Sequence, residues 1–141
     1  MFKREIEMFV LDIIIAILKI EDTSSRYNNV EDLLYNYNDW DSVIREFEII
    51  GEASKHLIRN KLLAKEYQKI VDFRNKITHE YFGIEPVEIW NIIQNNLEEF
   101  KNSIDSIFNN TEKDLKGELI DSFIEDNLHL DFIVKYLKDQ K

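Results

Sequence analysis

Eight consecutive residues, Arg74-Asn75-Lys76-Ile77-Thr78-His79-Glu80-Tyr81, gather a fixed cation, a carboxamide, an imidazole that titrates near neutral pH and a phenol. Phosphate chemistry uses this set. A guanidinium pairs two phosphoryl oxygens through its planar fork, an imidazole takes or gives a proton, and the amide and phenol supply orienting hydrogen bonds. Gly83 follows, and Pro86 is the sole proline of the chain. A helix carrying the set should therefore stop at the glycine, with a new one starting at the proline. With about 100° per helical residue, Arg74, Thr78 and Tyr81 share one stripe, and Asn75 and His79 are i, i+4 neighbours on the next. The spacing lets Arg74, Asn75, His79 and Tyr81 converge on one ligand near a helix end.

The elements that must position them read as helices. Only three glycines and one proline punctuate 141 residues rich in Ile, Leu, Glu, Lys and Asn, so long helices joined by short turns are expected and no strand pattern competes. Ile6, Val10, Ile13, Ile14, Ile17 and Leu18 recur at helical spacing and predict a first helix over 3–21, followed by a polar connection over 23–29. After a short helical piece at 30–35, a second long helix is expected to begin with Asp39 or Asp41 as cap. It runs to about Asn60 through Val43, Ile44, Phe47, Ile50, Leu57 and Ile58. Gly51 lies inside it; since an interior glycine costs about 1 kcal/mol relative to alanine, its place beside Ala53 and Ser54 predicts close approach of another backbone.

The third helical region, 62–81, offers Leu62, Leu63, Ile70, Phe73 and Ile77 to a core and the polar set to the other side. A fourth is expected over 86–108, with Val87, Ile89, Trp90, Ile93, Leu97, Ile104 and Phe108 inward. Thr111 then caps a helix carrying Leu115, Leu119, Ile120 and Phe123, and a last one carries Leu130, Ile133, Val134 and Leu137. The reading is all-α: a bundle of four helices over 1–110 and a helical extension over 111–141, too apolar for a disordered tail, docked on the bundle or on a partner.

Composition removes several functional classes. The chain has no cysteine, which excludes disulfides, thiolate catalysis and cysteine-based metal sites and fits a reducing cytoplasm. The apolar run from Ile13 to Leu18 is bracketed by Asp12 and Lys19. It is too short to span a membrane and lacks the flanks of a signal peptide, so a soluble protein is expected. A net charge of −10 argues against a broad basic face that coats nucleic acid. The distribution qualifies this. Residues 45–79, with 8 basic and 5 acidic groups, form the one net-positive segment, and the Arg74 set lies inside it.

Arg74, four intervening residues, His79, one residue and Tyr81 resemble the Arg-x4-His-x-Tyr signature of the HepT-like branch of the HEPN superfamily. Ile50-Gly51-Glu52-Ala53 upstream, and Phe82-Gly83-Ile84 with Val87-Glu88-Ile89-Trp90 downstream, extend the likeness over about residues 3–108. The resemblance implies an antiparallel HEPN-type bundle, a two-fold homodimer with the two motifs facing one groove, and metal-independent endoribonuclease chemistry that requires no cofactor. In that scheme the RNA 2′-hydroxyl attacks the adjacent phosphorus. His79 is general acid or base, Arg74 stabilises the phosphorane, and Asn75 orients His79 or the phosphate. Tyr81 has two candidate roles: a contact to substrate, or the tyrosine to which an MntA-like nucleotidyltransferase antitoxin attaches AMP, bringing bulk and negative charge into the groove.

The rival reading is a non-catalytic helical bundle that serves as substrate-binding or scaffolding partner of a small nucleotidyltransferase. Related bundles of that kind generally lack the Arg-x4-His signature. His56 and His129 are assigned to surface or partial core, and Trp40 and Trp90 to the core. The adjacent pairs Glu98-Glu99 and Glu125-Asp126 point different ways on a helix and make no metal cluster.

Overall fold

The computed structural model describes residues 6–79 and 85–141, with the backbone alone for Thr78 and His79. The described chain is all-α. Helix α1 spans Ile6–Ser24, α2 Val30–Tyr35, α3 Tyr37–Arg59, α4 Gln68–His79 after a 3-10 turn at Lys65–Tyr67, α5 Pro86–Asn95, α6 Leu97–Asn109, α7 Lys113–Asp126 and α8 Asp131–Asp139. Proline opens α5 at its first turn, where its missing N–H would be unpaired in any case. Among the described residues no helix is long and apolar enough to cross a membrane.

Several boundaries differ from the sequence expectation, each for a local reason. Helix α1 continues through Thr23 and Ser24, both buried rather than part of a polar connection. Helix α3 is capped by Asn36, not by Asp39 or Asp41: the Asn36 side chain accepts the Asp39 N–H, while its own backbone N–H closes α2 on Leu33. One amide residue thus ends one helix and starts the next. Leu62 is exposed, not core. Lys61 takes a left-handed conformation at φ 62°, and the Leu62 and Leu63 N–H groups both return to the Leu57 carbonyl. This tight reversal turns Leu63 inward and Leu62 out. The expected helix over 86–108 is two helices broken at Asn96, whose φ of −123° leaves helical geometry. Val87, expected inward, is exposed on the first turn of α5. Glu112, not Thr111, caps α7 through carboxylate oxygens that accept the Asp114 and Leu115 N–H groups.

Packing follows the apolar faces. Helix α1, almost wholly buried over Val10–Ile20 positions such as Leu11, Ile13, Ile14 and Ile17, lies between α3 and α6. It runs antiparallel to α3, since Phe9 meets His56 at one end and Lys19 faces Glu46 near the other. Helix α4 folds back along α3, with Phe73 edge-on to Phe47 at 5.6 Å. Trp40 is buried and Trp90 packs partly buried against the same core. Helices α7 and α8 add Leu119, Ile120, Phe123, Ile133 and Leu137 to that one cluster. A polar anchor supplements it: the Tyr136 hydroxyl donates to Asp105 of α6, with Lys101 Nζ 5.1 Å above the Tyr136 ring.

The α3–α4 seam is closest at Gly51. A Cβ built there would lie 2.0 Å from Arg74 Cβ and 2.6 Å from Arg74 Cγ. Gly117 in α7, by contrast, faces open space. The two glycines therefore respond oppositely to alanine. Gly51→Ala is expected to destabilise by about 1–3 kcal/mol through overpacking. Gly117→Ala should stabilise by roughly 0.5–1 kcal/mol through helix propensity alone. Urea unfolding followed by circular dichroism reads both, and a neutral Gly51→Ala would overturn the packing argument.

Glu46 on α3 is buried against α1. Burial pushes its carboxyl above the usual range, and the charges of Lys19 and Arg45 only partly offset this. The folded state then holds the Glu46 proton more tightly than the unfolded chain does. That stabilisation is full below the ordinary carboxyl pKa and is lost as pH rises through the raised folded value. Glu46→Gln should therefore match wild type at pH 4 and exceed its thermal midpoint at pH 7. A midpoint at pH 7 below wild type would mean that pairing with Lys19 and Arg45 outweighs burial.

Candidate active site

Arg74 sits two turns into α4, where the absent Gly51 side chain lets its stem lie against the α3 backbone. A helix would otherwise let a long side chain sweep outward; here the stem is wedged and only the guanidinium reaches the surface, with the side chain 28% exposed. Glu52 and Asn75 are among the neighbours that hold that head. Arg74 Nη2 lies 3.3 Å from Glu52 Oε2 on α3, and Arg74 Nη1 donates to Asn75 Oδ1 at 3.0 Å. The guanidinium is thus oriented from both ends of its fork by groups on two helices.

Glu52 does more than neutralise Arg74. Its second oxygen, Oε1, lies 3.6 Å from His56 Nε2, one helical turn along α3. The His56 ring in turn stacks on Phe9 of α1, with centroids 4.3 Å apart and planes within 9°. A chain of contacts therefore runs Phe9, His56, Glu52, Arg74, Asn75 and ties α1, α3 and α4 together at the site. Sequence reasoning assigned His56 to surface or partial core and used Glu52 only as part of a motif. The signal that could have found them is the Glu52-x3-His56 spacing directly after Gly51, which puts both on the open side of the close helix contact.

Of the four expected site residues, the structure brings together Arg74 and Asn75. Asn75 is exposed, with its carbonyl turned to the guanidinium. His79 is the last residue of α4, one turn beyond Asn75. Tyr81 lies outside the described residues. Across the α4–α5 connection, Lys76 Nζ meets Glu88 Oε2 at 3.3 Å, so the two helix ends that flank 80–85 are tied by an ion pair. A groove of about 320 Å³, lined by Phe47, Ile70, Phe73, Ile92 and Phe100, borders another flank of α4. None of its lining residues belongs to the Arg74 set. Among the described residues, no group of three or more His, Asp or Glu is placed to hold a metal ion.

Chemically, the arrangement presents a fixed, partly exposed cation beside an amide near the end of a short helix. This is suited to pairing with the non-bridging oxygens of a phosphodiester. No solved structure is significantly similar to this chain. Related sequences are. A Methanocaldococcus jannaschii protein named as a candidate RNase is 30% identical over 116 residues, covering 76% of this chain and all of that protein. A second from the same organism, similarly named, is 31% identical over 119 residues, 82% of this chain and 94% of its own. A Thermococcus cleftensis protein named as a probable ribonuclease HepT is 32% identical over 108 residues, 74% of this chain and 97% of its own. The profile described as ribonuclease HepT-like matches residues 13–107, from the middle of α1 to the last turn of α6. With most of the bundle matched in this way, the chain belongs to the ribonuclease HepT-like family.

Proposed function

We propose that this protein is a metal-independent endoribonuclease, the toxin of a HepT/MntA-type toxin–antitoxin pair, acting in the cytoplasm. The observation that carries the reading is the Arg74 guanidinium, fixed by Glu52 and Asn75 one and a half turns before His79 in a chain of this family. RNA brings its own nucleophile. The 2′-oxygen forms a bond to phosphorus as the P–O5′ bond breaks, leaving a 2′,3′-cyclic phosphate on one fragment and a 5′-hydroxyl on the other. A proton leaves the 2′-hydroxyl and one is delivered to O5′. His79 serves one of these transfers, Arg74 stabilises the charge that grows on the phosphoryl oxygens, and Asn75 orients His79 or the phosphate. No redox partner or cofactor enters this balance.

A single helix face makes a shallow site, so we place the RNA strand in a groove between two protomers of a homodimer, with both Arg74 and His79 pairs opening onto it. The net charge of −10 supports local rather than broad binding. Residues 111–141 are read as an extension on the 1–110 bundle, in keeping with a family match that ends at residue 107. His79→Ala is expected to lower cleavage of a single-stranded RNA panel by roughly 10²- to 10⁴-fold, the usual worth of a general acid or base. Wild-type activity should persist in EDTA and co-elute with the dimer, and Arg74→Lys should be poor because an ammonium lacks the planar two-point contact. Equal cleavage by wild type and His79→Ala would sink the catalytic assignment.

Regulation is read through Tyr81. A cognate nucleotidyltransferase antitoxin would attach AMP to its hydroxyl, adding bulk and negative charge where the RNA phosphates must lie. Co-expression with that partner should add the mass of one or more AMP units, mapped by peptide mass spectrometry to Tyr81. Tyr81→Phe should abolish the added mass and leave a folded toxin that modification no longer silences. Mass on another residue, or full silencing of an active Tyr81→Phe variant, would point to occlusion by binding instead.

A further inference from the structure

Glu52 is nearly half exposed, and a half-exposed glutamate paired with one arginine is ordinarily a weak tether. Exposed pairs contribute little because water screens them and both side chains must give up rotamer freedom. A site that needs its guanidinium in one place needs more than such a pair. The structure supplies it on the other side of the carboxylate. Oε2 faces Arg74 Nη2 at 3.3 Å while Oε1 faces His56 Nε2 at 3.6 Å. A carboxylate flanked at both oxygens, by a guanidinium on one side and an imidazole nitrogen on the other, has fewer favourable rotamers than one paired at a single oxygen.

His56 is itself immobilised. Its ring lies flat on Phe9, with centroids 4.3 Å apart and planes within 9°, and Phe9 packs partly buried against the main core. Stacking holds the imidazole plane against Phe9, and Nε2 is the ring atom on the Glu52 side. Rigidity is thereby passed from the core, through an aromatic plane and a carboxylate, to a partly exposed guanidinium. None of the partners between Phe9 and Arg74 needs to touch substrate.

We infer that His56 is a positioning residue: stacked on Phe9, it locks the Glu52 carboxylate so that Glu52 holds Arg74 in its phosphate-pairing orientation. This rests on the reading of Arg74 as the phosphate-contacting cation, so one arm of the test needs no RNA cleavage. In nitrogen-detected NMR of the full-length protein, the Arg74 guanidinium should give slowly rotating, resolved Nη signals that average or broaden in His56→Ala. His56→Gln, whose amide donor falls near the position of Nε2, should restore them. Phe9→Leu, which keeps apolar volume but removes the stacking plane, should give an intermediate spectrum with the fold retained.

The second arm is a double-mutant cycle on cleavage. His56→Ala should lower kcat and kcat/KM together by roughly tenfold in the wild-type background, as loss of a transition-state contact does. In a Glu52→Gln background the same substitution should have little further effect, because the coupling between contacting residues has already been removed. A merely structural histidine would instead lower both backgrounds alike. Unchanged Arg74 signals in His56→Ala, or equal losses in the two backgrounds, overturn the inference. If wild type cuts no RNA yet the Arg74 signals respond as described, the nuclease reading falls and the positioning role stands.

Discussion

The close approach of α3 and α4 at Gly51 is the constraint on which the site depends. Any side chain at that position would meet the Arg74 stem at 2.0 Å, and separating the helices to relieve it would withdraw Arg74 from Glu52. It would also open the Phe47–Phe73 contact one turn away. A glycine inside a 23-residue helix costs stability through backbone freedom. Here that cost is offset by the placing of a long side chain whose first two carbons are fixed against backbone. What leaves the seam is a guanidinium with little slack.

The same seam explains how a strongly acidic chain keeps a usable cation. Segment 45–79 carries the excess of basic residues, and Arg74 within it is paired with Glu52. In a half-exposed pair the carboxylate orients more than it cancels, since water screens the attraction while the hydrogen-bonding geometry persists. In the proposed reaction a dianionic transition state would offer more negative charge than Glu52 and share the guanidinium fork with it. The acidic surface elsewhere keeps polyanions from binding wherever a lysine happens to lie.

Much of this was legible in the sequence and some was not. Apolar spacing was sufficient for α1 and α3, which bury the residues their periodicity selects, Ile13, Ile17, Phe47 and Leu57 among them, but not for the break at Asn96 that divides the helix expected over 86–108. The need for a close backbone at Gly51 was also readable, since an interior glycine beside small residues has few other justifications. Its partner was not, because nothing in local spacing says which residue of α4 lies opposite. Helix ends were misplaced where a residue serves two helices, as Asn36 does, or where a longer side chain caps as well as a hydroxyl, as Glu112 does. Leu62 failed for a different reason. Two adjacent leucines at a chain reversal cannot both face inward, and the left-handed Lys61 decided which one does. At the site, the helical wheel placed Arg74 beside Asn75, but the contact of His56 with Phe9 joins residues 47 positions apart and belongs to tertiary structure alone.

The C-terminal helices bear on the site only through the bundle. They complete the core over α6 with Leu119, Ile120, Phe123, Ile133 and Leu137, and their polar anchor is a phenol rather than a cation. Burial and the Asp105 carboxylate push the Tyr136 hydroxyl far above its usual range, so it stays a donor at any pH the protein meets. Nearby, burial raises the Glu21 carboxyl as well, with Lys101 pulling it down and the charges of Glu98 and Asp105 pushing it up. Acidic groups thus accumulate where α1, α6 and α8 meet, at the end of α1 opposite to Phe9. Phe9 supports the Arg74 site through His56 and Glu52; Glu21, about three turns along the same helix, lies in the acidic cluster at its other end.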